Sequence, residues 1–377
     1  MKQKRKKSNK AESGEKKEPG TLPNPTNELE LSQRVRLCAS VGEEVVQLDE
    51  LEKLLKNKRT RPIAYDGFEP SGRMHIAQGI LKAINVNKLT KSGVDFVFWV
   101  ADWFALLNNK MDGDLNKIQT VGKYLIEVWK AAGMDMTHVY FKWCSDEINE
   151  HANEYWLRVM DISKHFNITR TKRCCTILGR TESDDMPTAH LMYACMQCAD
   201  IFFLKADICQ LGMDQRKVNM LAREYATKQK LRSPIVISHH MLMGLKEGQE
   251  KMSKSDPDSA IFMEDEAHDV NKKIKQAFCP PKEIANNPCL DYVKHIVFGK
   301  LEQFVVKRKP EHGGDLIYTS YEQLEKDYAE GNLHPGDLKP SLAEAINSFL
   351  EPVRSHFKND KYAKQLLDQV KKYRVTK

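Results

Sequence analysis

The feature that most limits what this chain can become is an alternation between residues 63 and 238, where short apolar runs trade places with helix-period segments. Ile63-Ala64-Tyr65, Phe96-Val97-Phe98-Trp99-Val100 and Val139-Tyr140-Phe141 read as strands, as do residues 206–209 and 234–238. The second run is apolar without interruption, as a strand buried on both faces requires. Between the strands, helices are predicted over residues 75–90, 114–132 and 189–203, and onward from Asp214. Ile118, Val121, Leu125 and Val128 supply the apolar stripe of the second of these. Ser145, Asp146 and Glu147 mark a further helix start, since a hydroxyl and carboxylates suit an N-terminus. The alternation predicts an α/β fold: a mostly parallel, doubly wound sheet with helices on both faces. One more helix is predicted from about Gly42, with Val45, Leu48, Leu51, Leu54 and Leu55 on one face. Past Ser255 the alternation stops, and the remainder reads as helices over residues 270–277, 291–298, 321–329 and 342–357. The expected division is a tail over 1–29, an α/β domain over 30–265 and a helical domain over 266–377.

Charge is concentrated at the ends. Residues 1–20 carry eight Lys/Arg against three Glu, and residues 358–377 carry seven Lys/Arg against two Asp, so the 337 residues between them are slightly acidic. The first 29 residues are rich in Lys, Glu, Gly and Pro, cannot bury a core, and are expected to be disordered. Their lysines either aid solubility or add non-specific attraction to a phosphate backbone. No run approaches the ~20 apolar residues of a membrane helix, and the basic N-terminus lacks the apolar segment of a secretory signal, so a cytosolic protein is expected. Nine scattered cysteines suit a reduced compartment better than a disulfide framework. Cys195 and Cys198 have a zinc-knuckle gap, and Cys174 is next to Cys175. With no second spaced pair and a helical context, these are expected to be buried thiols, and no structural metal is expected.

Three segments carry the chemistry. In Tyr65-Asp-Gly-Phe-Glu-Pro-Ser-Gly-Arg-Met-His-Ile-Ala-Gln78 a strand enters a loop holding Gly67 and Gly72, then a helix opening near His75. Such a loop lets the backbone approach a ligand, and a helix start offers N–H groups to an anion. Far downstream stands Lys251-Met-Ser-Lys-Ser255, whose two lysines could neutralise a departing pyrophosphate. Taken alone it would pass for a solvated basic turn. The third segment is the helix bearing Tyr193, Gln197 and Asp200, which share one face at i, i+4 and i+7 on an otherwise apolar helix. Three polar groups in register, beside Gly212-Met-Asp-Gln-Arg216, point to a small polar ligand rather than to loop contacts.

In this order the two loops resemble the signatures of the class I aminoacyl-tRNA synthetases, called HIGH and KMSKS. The second is intact; the first reads His75-Ile-Ala-Gln78, with Ala and Gln where Gly and His are usual. With the polar helix face, the chain resembles tyrosyl-tRNA synthetases of the archaeal and eukaryotic type from about residue 40 to its end. The resemblance implies a Rossmann-like catalytic domain followed by an all-α anticodon-binding domain. It implies that Tyr65 and Asp200 bind the phenolic hydroxyl of L-tyrosine, and that Tyr193, Gln197 and Gln215 hold its α-amino end. ATP, arriving with Mg2+, would meet Gly67, Gly72, His75, Gln78, Gly212, Asp214, Lys251, Met252, Ser253, Lys254 and Ser255. His75, Lys251 and Lys254 would be catalytic through phosphate oxygens. His312 and Asp337 would contact tRNA(Tyr), Asp337 also capping a helix from about Leu338. A homodimer with an insertion over about 145–188 as its contact region is implied, and Phe104 stands where many members have His. Two alternatives stay open: a tryptophan-specific relative, whose indole would not call for the Tyr65–Asp200 pair, and a non-catalytic RNA-binding protein of the same fold, which would need no intact lysine loop.

Overall fold

A computed structural model describes residues 18–22, 29–57, 59–178, 185–249, 252 and 256–373. Its main sheet has six strands: β1 (Glu44–Val46), β2 (Ile63–Phe68), β3 (Asp95–Val100), β4 (Val139–Trp143), β5 (Ile208–Gly212) and β6 (Ile235–His239). Their order is β1-β6-β5-β2-β3-β4, parallel except for the edge strand β1, which runs antiparallel to β6. From β2 the chain therefore winds outward through β3 and β4, then returns across the sheet to build β5 and β6 on the other side. This is the doubly wound arrangement that the alternation predicts.

Side chains alternate across the sheet and feed two cores. Ala64, Phe96, Phe98, Val139, Ile208, Ile235 and Ile237 face one apolar cluster; Ile63, Tyr65, Val97, Trp99, Cys209, Leu211 and Val236 face the other. The helix Leu115–Ala131 packs on the first face through its predicted stripe, and Asp114 caps it by accepting from the Asn116 and Lys117 N–H groups. All nine cysteines are buried and unbridged. Where β3 begins, Asp95 is fully buried and is held by Arg61 Nε at 2.7 Å and His138 Nδ1 at 3.1 Å.

Beyond residue 265 the chain is mainly helical, and it closes the first core instead of forming a separate one. Val270, Leu290, Ile296, Leu342, Ile346, Phe357 and Val370 belong to the same apolar cluster as the sheet residues. Polar contacts reinforce the junction: His356 Nε2 lies 2.9 Å from Glu127 Oε2, and Lys300 Nζ donates to the Ala132 carbonyl at 3.2 Å.

Local readings needed correction at several places. No helix starts at Gly42: residues 44–46 are strand β1, and the helix spans Leu48–Lys56 with Leu48 half exposed rather than on its buried face. A helix, Leu31–Ala39, precedes it. Strands β5 and β6 lie later in the chain than the apolar runs suggested, ending at Gly212 and His239. The last long helix begins well before residue 342, at Pro335, and runs to Asn359 through Pro340 and Pro352. Its cap is His334, whose Nδ1 accepts from Gly336 N at 3.0 Å, so Asp337 sits inside the first turn and does not cap it. The C-terminal region also contains an antiparallel ribbon, β7 (Phe304–Val306) with β8 (Leu316–Tyr318), which a purely helical reading omits.

Candidate functional site

The two halves of the sheet part at β2 and β5. Their pairing covers only Ala64↔Ile208 and Tyr65↔Cys209, although β2 continues to Phe68 and β5 to Gly212. Crevices at the carboxyl ends of strands, where a doubly wound sheet reverses direction, are where such folds bind ligands. Here the crevice is a cavity of about 490 Å³. It gathers Tyr65, Tyr193, Gln197, Asp200 and Gln215 with Gly67, His75, Gln78, Gly212, Asp214 and Met252. Gly72 is off the wall, but its φ of +131° makes the turn that brings the chain back toward it. Lys251, Ser253, Lys254 and Ser255 lie outside the described residues. His312 and Asp337 are not in the cavity; they sit on the C-terminal region, His312 exposed and Asp337 partly so.

The helix Thr188–Phe203 presents Tyr193, Gln197 and Asp200 to the cavity, as their spacing predicts. Asp200 is 1% exposed, and its Oδ1 accepts from Tyr155 Oη at 2.7 Å. Burial pushes its carboxyl well above the usual range, against the pull of the Tyr155 hydrogen bond. Tyr65, also 1% exposed, is pushed up by burial and then by the nearby charge of Asp200. The cavity wall thus holds, side by side, a phenol and a carboxyl that are costly to bury. Gln197 Nε2 donates to Gln215 Oε1 at 3.0 Å, while Gln197 Oε1 is buried with no partner among the described residues. Tyr193 Oη donates to Glu69 Oε1 at 2.8 Å, and Asn108 Nδ2 donates to the same carboxylate at 3.1 Å. Phe104 packs edge-on against Tyr193 with centroids 4.8 Å apart, so this apolar ring supports a hydrogen-bonding one.

A buried polar chain joins Asp66, Lys82 and His239 of the wall through Gln210 behind it. Lys82 Nζ lies 2.5 Å from Asp66 Oδ2 and donates to Gln210 Oε1 at 3.1 Å; Gln210 Nε2 donates to His239 Nδ1 at 2.7 Å. Burial, with Lys82 and His240 nearby, pushes His239 well below the usual imidazole range, so it is a neutral acceptor. Burial raises the Asp66 carboxyl even though Lys82 opposes it. Gln78 contributes an Oε1 that is buried and without a partner among the described residues, while its backbone carbonyl is fixed by Trp129 Nε1 at 2.7 Å.

The loop that ends at His75 is stitched to the segment just after the lysine motif. His75 and Phe262 form an antiparallel bridge, with Ile76 N donating to the Ile261 carbonyl at 2.8 Å and Met263 N to the Met74 carbonyl at 2.9 Å. Arg73 pairs with Glu264 and, at 3.0 Å, with Asp265, while Tyr124 Oη donates to Glu264 at 2.9 Å. His75 is therefore held in a bridge ahead of the helix, which opens with a π-helical turn over Ala77–Leu81. Segments nearly two hundred residues apart in sequence are set side by side at the cavity mouth.

Several residues of the cavity wall and of the layer behind it escaped the sequence reading. Glu69 lies inside the segment quoted for Tyr65 and His75, and a carboxylate between two glycines was a usable signal. Lys82 and Gln210 occur at buried positions of a helix and a strand, where an unexplained polar residue is the signal. Tyr155 gave none, because it comes from a different helix, Ala152–His165, and meets Asp200 only in the fold.

Comparison with known proteins agrees with this geometry. The sequence family described as tRNA synthetases class I (W and Y) matches residues 56–351. A curated Arabidopsis thaliana protein named tyrosine–tRNA ligase 1, cytoplasmic, is 58% identical over 349 residues, covering 92% of this chain and 90% of that one. The Leishmania major tyrosyl-tRNA synthetase crystallised with tyrosinol superposes with a TM-score of 0.87 at 51% identity, over 92% of this chain and 61% of that one. The Pyrococcus horikoshii tyrosyl-tRNA synthetase complexed with L-tyrosine gives 0.82 at 35% identity, over 90% of this chain and all of that one. The match spans the splayed strands, the polar helix face and the helical region that seals the core, and the chain belongs to the class I tRNA synthetases of the tryptophan and tyrosine family.

Proposed function

We propose that this chain activates L-tyrosine with ATP and transfers the tyrosyl group to tRNA(Tyr). The observation that carries the reading is Asp200: a buried carboxyl, held by Tyr155 and neighbouring Tyr65, in the wall of the cavity. A phenolic hydroxyl adds a further hydrogen-bonding group to that buried carboxyl beside the one from Tyr155, and phenylalanine would supply none. Tyr193, Gln197 and Gln215 receive the α-ammonium, with the Gln197 Oε1 as an acceptor. ATP enters with its Mg2+ beside His75, Gly212 and Asp214, near the Gln78 Oε1 that has no partner among the described residues.

The tyrosine carboxylate attacks the α-phosphorus, the bond to the bridging oxygen breaks, and pyrophosphate leaves. A terminal ribose hydroxyl of the tRNA then attacks the carbonyl carbon and releases AMP. No side chain forms a covalent intermediate; positioning and charge stabilisation carry the rate, with Lys251 and Lys254 closing over the leaving group. Residues 30–265 hold this chemistry, while residues 266–377 read the tRNA, with Asp337 and His312 on the anticodon. The protein works in the cytoplasm as a homodimer, joined through the insertion 145–188, where Leu157, Met160 and Ile168 are exposed. Amino-acid-dependent pyrophosphate exchange with all twenty amino acids tests the reading. Exchange driven by tyrosine alone is expected; faster exchange with tryptophan, or none with any amino acid, overturns it.

A further inference from the structure

We propose that His240, Asp291 and His295 form a binding site for a borderline divalent metal ion, Zn2+ above all. Unlike a cysteine-based zinc knuckle, the donor set consists of two imidazoles and a carboxylate, brought together from separate parts of the chain. His240 follows strand β6. Asp291 lies on the helix Pro288–Tyr292, and His295 stands one turn later in a π-helical turn, Val293–Val297. His240 Nε2 is 2.8 Å from Asp291 Oδ1, His295 Nε2 is 3.5 Å from the same oxygen, and the three donor atoms lie within 4.8 Å of one another. In a tetrahedral zinc site, ligand bonds of about 2.0–2.1 Å put donor atoms about 3.3 Å apart. The Asp291–His295 pair is already near that spacing, and the His240–Asp291 pair opens by about half an ångström to reach it.

The surroundings are those of a metal site. Asp291 Oδ2 is occupied by the Met243 N–H at 2.9 Å, which fixes the carboxylate and leaves Oδ1 for an ion. Glu43 Oε2 stands 3.5 Å from His240 Nδ1, the outer carboxylate that commonly orients a metal-bound imidazole. The two rings lie nearly parallel, 14° apart with centroids at 4.1 Å, so their in-plane lone pairs run alongside each other and one ring turns out of the stack when both bind a single ion. All three ligands line a cavity of about 580 Å³, which gives an ion an entry path and leaves room for a water as fourth ligand. Two imidazoles and one carboxylate suit zinc better than magnesium or calcium, which prefer oxygen.

The placement implies a role. His240 also lines the substrate cavity, whereas Asp291 and His295 belong to the helical region. A bound ion staples the segment after β6 to the helices that close the core. It need not take part in the chemistry, and the proposal does not depend on which amino acid the cavity accepts.

The test uses the full chain, stripped with chelator and dialysed, titrated with Zn2+ in a calorimeter and with Co2+ followed by its visible absorption. The variants His295→Phe, which keeps a ring in the stack, and Asp291→Asn, which can still accept from Met243, are measured beside it. One equivalent of Zn2+, a rise in Tm on binding, and at least about tenfold weaker binding in both variants are expected. If one variant fails to fold, the other decides. Equal binding by parent and folded variant, or no uptake and no Tm change with excess Zn2+, overturns the proposal.

Discussion

A single carboxyl shows how binding and stability pull apart in this protein. Because burial raises the Asp200 carboxyl well above its unfolded value, the native state takes up its proton at a higher pH than the unfolded chain does. The stabilising linkage is fully present below the ordinary Asp range and is lost as pH rises through the folded value. Asp200→Asn removes this penalty, since the amide has no charge to bury and its oxygen can still accept from Tyr155. The variant should therefore gain Tm relative to the parent as pH increases from 5 to 8, even as tyrosine activation falls. Parallel melting curves across that range would show that Asp200 is ionised in both states. Tyr155 acts through Asp200 rather than on substrate. Tyr155→Phe should cost about 1–3 kcal/mol of stability through the lost buried hydrogen bond. Because the carboxyl is then free to turn, the ratio of kcat/KM for tyrosine over phenylalanine should drop about tenfold, a change of about 1.4 kcal/mol. An unchanged ratio with lowered stability would reduce Tyr155 to a packing residue. Tyr193, Gln197 and Asp200 were legible from their spacing because a helix face is a local property. Tyr155, Lys82 and Gln210 were not, because their roles exist only once separate elements meet.

At the level of elements, the same distinction separates what a run of residues reveals from what packing decides. The strand Asp95–Val100 was legible as an unbroken apolar run buried on both faces, and the helix Leu115–Ala131 as a periodic apolar stripe. The strand Glu44–Val46 was mistaken for part of a helix because three residues cannot display a period of two, and only its pairing with β6 makes it a strand. The helix Pro335–Asn359 was read as starting late because Pro340 removes a backbone donor that an interior position normally needs. Nothing local announced the bridge of His75 with Phe262. That bridge depends on Gly79, where a Cβ would collide with the Met263 side chain. Gly79→Ala should destabilise the protein by about 1–3 kcal/mol through overpacking and slow adenylate formation by shifting His75. Combining it with Met263→Ala should recover part of both losses, and a double-mutant cycle with no coupling would dismiss the close approach as irrelevant.

Considered whole, the molecule is less modular than a catalytic domain carrying a tRNA-reading appendage. The apolar cluster under the sheet is completed by Leu342, Ile346, Phe357 and Val370, so a chain cut after residue 265 would leave that face bare. Such a fragment should aggregate or melt without a cooperative transition, as read by circular dichroism and sedimentation. A soluble, cooperatively folding fragment would show the two regions to be independent. On the opposite side, exposed Leu157, Met160 and Ile168 form a surface suited to a second copy. Leu157→Glu with Met160→Glu should turn the proposed homodimer into monomers in sedimentation velocity without lowering Tm by more than about 1 kcal/mol equivalent. An unaltered sedimentation coefficient would place the contact elsewhere.

The sealing of the sheet by the last helices also sets a timetable in the cell. Glu127 meets His356 across 229 positions of sequence, and the sheet face between them cannot be covered until the final turns have been synthesised. At about 5–20 residues per second, translation from the end of β6 to Val370 takes roughly 7–26 seconds, during which that apolar face stays open. The nascent chain exposes that apolar face throughout the interval. Slowing its translation late in the message should increase aggregation more than slowing it early, a contrast that pulse-labelling can measure.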